Sequence, residues 1–152
     1  MLMNNHVISE RLDAWRVKDL DSKGSGYGYT YSDAASDVIT AIVIKTDAIY
    51  EIHLHATITG YETLRAPQRI MYSQEVRRHS SRSEHFEAII EQPKLIDCPN
   101  NSLVSTSTGC NTATAQRIVH LRQGDVITVY SSHKHLLQPE QTWFSIVRID
   151  KV

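Results

Sequence analysis

The apolar residues of this chain recur with a period of two, and this constrains the fold more than any other feature. In AIYEIHLHATITG (48–60), Tyr50, Ile52 and Leu54 fall on one side of an extended strand, and Ile49, Glu51, His53 and His55 fall on the other. The segments VITAIVIK (38–45), QRIMYSQEV (68–76), HFEAIIEQPKLI (85–96), AQRIVHL (115–121), DVITVYSS (125–132) and TWFSIVRIDKV (142–152) are similarly rich in β-branched and aromatic residues. Short strands at regular spacing, with no amphipathic helix between them, predict an all-β antiparallel sandwich or barrel. Helical and extended spacing compete only in NNHVISERLDAWRVKDL (4–20). There the alternation in AWRV favours a first strand. The glycine-rich DSKGSGYGYTYSDAASD (21–37) reads as a long loop with room for a small hairpin.

Two polar segments between strands read as exposed tips. RRHSSRSEH (77–85) has no apolar residue, and SSHKHLLQPEQ (131–141) has only Leu136 and Leu137. Adjacent leucines in a solvated loop either fold back onto the sandwich, which is the commoner outcome, or face a partner.

A chain of 152 residues is long enough for one domain with its own core. Its 16 basic and 17 acidic side chains leave a net charge of -1, which argues against nucleic acid or an anionic membrane as partner, since either calls for a basic surplus. No run approaches the roughly 20 apolar residues of a membrane span, and MLMNNHVISERLDAW lacks the basic start and apolar centre of a signal peptide. The chain as given is expected to be soluble, with any targeting segment outside it.

Cys98 and Cys110 flank the polar, turn-prone PNNSLVSTSTG. A disulfide across so short a loop would contribute about 3 kcal/mol on the chain-entropy account, and two reduced thiols are the alternative. Asn100-Asn101-Ser102 in the same loop is a glycosylation sequon, which favours an extracellular chain.

No nucleophile elbow, phosphate loop or dinucleotide fingerprint is present. His53 and His55 share a strand face and have the spacing for two ligands of one metal ion, but no carboxylate follows at the spacing a jelly-roll metalloenzyme needs. The chain therefore reads as a binding protein rather than an enzyme, with no cofactor. A small metalloenzyme remains a lesser alternative.

TAIVIKTDAIYEIHLHATITG, followed by KLIDCPNN, GCNTATAQRIVHLRQGDVITVYSS and TWFSIVRI, resembles the tumour necrosis factor ligand homology domain. The corresponding pieces are Ala48-Ile49-Tyr50, then Leu121-Arg122-Gln123-Gly124-Asp125-Val126-Ile127-Thr128-Val129, then Trp143-Phe144-Ser145-Ile146-Val147, with small Ala48 and Ser145 standing where the family has glycine. The resemblance covers roughly 14–152, leaving 1–13 as an N-terminal extension. It implies a TNF-like jelly-roll sandwich, secreted or shed, that forms a homotrimer and binds cysteine-rich cell-surface receptors in the grooves between protomers. It also implies a loop disulfide between Cys98 and Cys110, as in ectodysplasin- and Eiger-type members.

On this resemblance the trimer interface comprises Ile49, Glu51, His53, His55, Val119, Trp143, Val147 and Ile149, and the receptor contacts are Arg78, His79 and Arg82 at one tip with Leu136 and Leu137 at the other. A polar Glu51 and His53 near a threefold axis must be paired or hydrated, so assembly is expected to vary with pH between about 5 and 7. Complement-type globular heads, and viral or bacterial jelly rolls that recognise carbohydrate or protein, share the pattern and form the alternative.

Overall fold

The computed structural model describes residues 10–12, 15, 29–31, 40–58, 69–97 and 112–150. Within them lie β1 (Glu10–Leu12), β2 (Tyr29–Tyr31), β3 (Ile42–Ile44), β4 (Ala48–Thr57), β5 (Arg69–His79), β6 (Phe86–Asp97), β7 (Thr112–Leu121), β8 (Val126–Ser131) and β9 (Trp143–Asp150). There is no α-helix among the described residues, only single 3-10 turns at Lys134–Leu136 and Pro139–Gln141. All strand pairs are antiparallel.

The strands form two sheets. One has three strands in the order β7-β4-β9. The other has six, ordered β2-β3-β8-β5-β6, with β1 also paired to β8. β3 meets β8 at Val126 and Ile127, while β1 meets it at Val129 to Ser131, so the two short strands share one edge of β8. Glu10–Leu12 pair with the sheet, and Leu12 is buried in the core. Tyr29–Tyr31, in the glycine-rich segment, form β2 by pairing with Ile42–Ile44, which lie beyond that segment.

The inward faces of the two sheets build one main core. β4 contributes Ala48, Tyr50, Ile52 and Leu54, all fully buried, and Ile44, Val76, Ile89, Leu121, Ile127, Val129 and Ile146 complete it. Period-two patterning does this directly, since each alternate side chain of β4 is removed from water at about 1.5–3 kcal/mol apiece for the larger ones. A second, smaller cluster holds Ala56, Ile58, Tyr72, Ala113 and Leu136 at one end. Beside it a buried polar chain is satisfied internally. The Ser131 hydroxyl donates to Tyr72 Oη at 3.2 Å, Tyr72 donates to Gln74 Oε1 at 3.2 Å, and Gln74 Nε2 donates to Gln92 Oε1 at 2.7 Å. Burial pushes the Tyr72 phenol above its ordinary pKa, against the hydrogen bond from Ser131, which lowers it.

The long side of the sandwich, where β6 faces β7, is closed by side chains rather than by strand pairing. Lys94 donates to the Thr112 carbonyl, Gln92 to that of Thr114 at 2.7 Å, Arg117 to that of Ile89 and Arg78 to that of His120 at 3.2 Å. Backbone acceptors that would otherwise invite another strand are thereby occupied, and Pro93 adds a position on β6 with no N–H to offer.

The RQGD segment turns the chain from β7 to β8. Gly124 has φ +91°, a backbone that L side chains rarely adopt, and a Cβ there would lie 2.9 Å from Ser81 Oγ. Asp125 Oδ2 accepts from the Arg122 N–H at 2.9 Å and Asp47 Oδ1 from the Gln123 N–H at 2.6 Å, so both acids tie the turn to its surroundings.

Candidate interaction face

The outward face of the three-stranded sheet follows from its register. Across β7, β4 and β9 it presents three rows: Thr114, His55 and Trp143; then Gln116, His53 and Ser145; then Ile118, Glu51 and Val147. Beyond them His120 pairs with Ile49. Ile118, Val147, Ile149 and Trp143 are 58%, 50%, 47% and 45% exposed. These large apolar side chains therefore stand together on one wall of the molecule.

Within this face the polar residues are paired with one another. Glu51 Oε1 accepts from His53 Nε2 at 3.1 Å and from Gln116 Nε2. His55 Nδ1 lies 2.8 Å from Thr114 Oγ1, and its Nε2 lies 3.4 Å from Thr57 Oγ1. Because the Thr57 hydroxyl donates to the Gln141 carbonyl at 2.9 Å, it receives from His55, which assigns the neutral ring its Nε2–H tautomer. Trp143 stacks on His55, with centroids 5.4 Å apart and planes 15° apart, and lies 6.4 Å from the His53 ring. No cluster of three or more His, Cys, Asp or Glu with metal-binding geometry occurs among the described residues.

The expected outward residues Ile49, Glu51, His53, His55, Trp143, Val147 and Ile149 all lie on this face. Val119 does not. It pairs with inward-facing Tyr50 and packs against the core, and the outward aliphatic residue on β7 is its neighbour Ile118. Gln116, Ile118 and His120 form the outward row of β7, each an odd number of residues from buried Leu121.

The tip is shorter than its sequence suggests. β5 runs on through Arg78 and His79, so that only Ser80 to His85 turn, and Arg82 is exposed within that turn. Arg78 is tied to Glu87 and to the His120 carbonyl, while His79 Nε2 lies 3.0 Å from Thr128 Oγ1 with its ring 5.8 Å from that of Phe86. Neither side chain projects freely from the tip.

Leu136 is 3% exposed and belongs to the smaller core cluster, and Leu137 packs against both clusters. The leucine pair has folded back onto the sandwich, with Leu136 buried and Leu137 half-buried. Cys98, Cys110 and the sequon between them lie outside the described residues. No helix among the described residues is long and apolar enough to cross a membrane.

No protein-family model matches the sequence, and no curated protein matches it. Solved structures do match in fold. Murine APRIL at pH 5.0 superposes with a TM-score of 0.55 at 17% identity, covering 82% of this chain and 79% of its own. Rabbit GITRL gives 0.53 at 12% identity over 85% and 83%, and Eiger TNF from S. frugiperda gives 0.50 at 14% identity over 74% and 66%. All three are ligands of the tumour necrosis factor superfamily. The two-sheet antiparallel sandwich described above is accordingly the TNF-like jelly roll, and the chain has the fold of those ligands.

Proposed function

We propose that this chain is an extracellular, cytokine-like ligand that assembles as a homotrimer and clusters cysteine-rich receptors on cell surfaces, without catalysing a reaction. The observation that carries this reading is the outward face of the three-stranded sheet, where Ile118, Trp143, Val147 and Ile149 stand about half exposed on one wall of a TNF-like sandwich. Covering such a wall with sister copies removes apolar surface from water at roughly 25 cal/mol per Å². The fold's likeness to APRIL and GITRL supports this reading, and three linked copies would bind several receptors at once with a gain in avidity.

Receptor contact is assigned to the Ser80-to-His85 turn, with Arg82 as its exposed cation. Arg78 and His79 act behind it, fixing the strand end through Glu87 and Thr128. The test is to screen the purified chain against displayed cysteine-rich receptor ectodomains. A receptor captured by the parent and lost by Arg82→Glu at unchanged molar mass supports the reading. A chain that is monomeric and captures no such ectodomain overturns it.

A further inference from the structure

Glu51 occupies an unusual position on the face just described. It sits in the middle strand, flanked across the sheet by Ile118 on β7 and Val147 on β9, with His53 and Gln116 as its hydrogen-bonding partners. In the single chain this is inexpensive, because the Glu51 and His53 side chains are 30% and 31% exposed and water screens the charge. Once a second copy covers Ile118 and Val147, the carboxylate between them loses that water. A lone buried carboxylate is strongly disfavoured, whereas a carboxylate paired with imidazolium, or a protonated carboxyl, costs much less.

We infer that assembly through this face is linked to proton uptake at the Glu51–His53 pair, so that copies associate more tightly as pH falls from 8 to about 6.5. This rests on the homotrimer reading and adds its regulation. The sign does not depend on which partner holds the proton. Whether His53 becomes the cation or Glu51 becomes neutral, the covered pair carries one more proton than the exposed pair, and mass action then favours assembly at lower pH. The pair is suited to this, since the carboxylate is already held 3.1 Å from the imidazole and either group can carry the added proton.

The other groups on the face set the lower limit of the window. His55 is satisfied in its neutral form between Thr114 and Thr57, and His120 is exposed beside Ile49 on β7. Neither hydrogen-bonds a carboxylate among the described residues, so a proton added to either ring brings uncompensated positive charge and opposes assembly. From β9 the face receives Trp143, Ser145, Val147 and Ile149, none of which titrates, and the carboxylate residue Asp150 is in register with Ile49. Assembly is therefore tightest at mildly acidic pH and weaker on both sides of it.

The experiment is sedimentation equilibrium of the full chain between pH 8 and 5, with subunit exchange between two fluorescently labelled pools where dissociation is too slight to see by mass. Each proton taken up contributes about a tenfold change in the association constant per pH unit above the titration midpoint, so the parent should gain at least about tenfold between pH 8 and 6.5. Glu51→Gln keeps a hydrogen-bonding side chain without the charge. It should associate at pH 8 as tightly as the parent does at 6.5, with no remaining slope. A parent trimer whose association is flat from pH 8 to 6.5, or a Glu51→Gln chain with the parent's slope, overturns the inference and leaves the trimer standing. A single-chain mass at every pH overturns both.

Discussion

On the outer wall of the six-stranded sheet, Arg77 lies between two rings, 4.3 Å from the centroid of Phe86 and 3.8 Å from that of Tyr130, and Glu75 Oε1 accepts from its Nε at 2.8 Å. On the wall of the three-stranded sheet, Glu51 and His53 form the analogous pair at 3.1 Å, but Ile118 and Val147 beside them are about half exposed among the described residues. The Arg77 and Glu75 side chains are only 20% and 16% exposed, so that pair is already sheltered by its neighbours. The hydrogen bond to Glu75 holds the Arg77 guanidinium above its ordinary pKa, against partial burial, and it stays charged at all working pH. Exposed apolar residues on the larger sheet, Phe86 at one end of the β5–β6 ribbon and the Met71–Leu95 pair at the other, lie apart. The contrast teaches that the six-stranded wall scatters its exposed apolar residues away from a sheltered pair with a permanent cation, while the three-stranded wall gathers its own around the more exposed Glu51–His53 pair.

The largest effect expected from this difference comes from Ile118→Asp combined with Val147→Asp. These charges make the three-stranded wall unfit to be covered, and the molar mass should fall from that of a trimer to that of one chain while the far-UV circular dichroism stays that of a folded β protein. Next is Gly124→Ala, in the turn that carries the chain from one wall to the other. Positive φ and the close approach of Ser81 make it cost about 1–3 kcal/mol in urea unfolding, whichever wall is probed.

Arg77→Ala should cost about 1–2 kcal/mol, by removing two ring contacts and the partner of Glu75, and should leave the molar mass unchanged. If it instead lowers the mass, the two walls are not functionally distinct. The smallest effect is at His133, whose pKa is held below the ordinary imidazole value by burial and by the nearby charge of His135. The fold favours its neutral form, so its contribution is present above about pH 6.5 and is lost as pH falls through the depressed value. His133→Gln should flatten the fall in urea midpoint between pH 7 and 5 relative to the parent.

Much of the three-stranded wall was legible because strict alternation in AIYEIHLHAT assigns every side chain of β4 to a face. The same rule fails on β7. There the inward positions include small Ala113 and Ala115, and Ile118 and Val119 are adjacent aliphatics of similar hydropathy, so the phase is set by pairing with β4 rather than by pattern. It fails again at RRH, because a strand end with polar side chains on both faces gives no alternation, and β5 therefore runs past Val76 to His79 unannounced. Leu136 and Leu137 needed tertiary information. Their loop is polar, and only the bridge of Leu137 to Ile58 shows that it lies against the end of the sandwich. That Glu51 and His53 had to be paired or hydrated followed from burial cost, whereas their pairing with each other and Gln116 as a second donor required the structure.

Sedimentation equilibrium of the unmodified chain near pH 6.5 tests most directly the claim that the three-stranded wall is built to be covered by sister copies. The account predicts a species of three times the chain mass, lost in the Ile118→Asp, Val147→Asp variant. A single-chain mass at every concentration, unaffected by those substitutions, would contradict it.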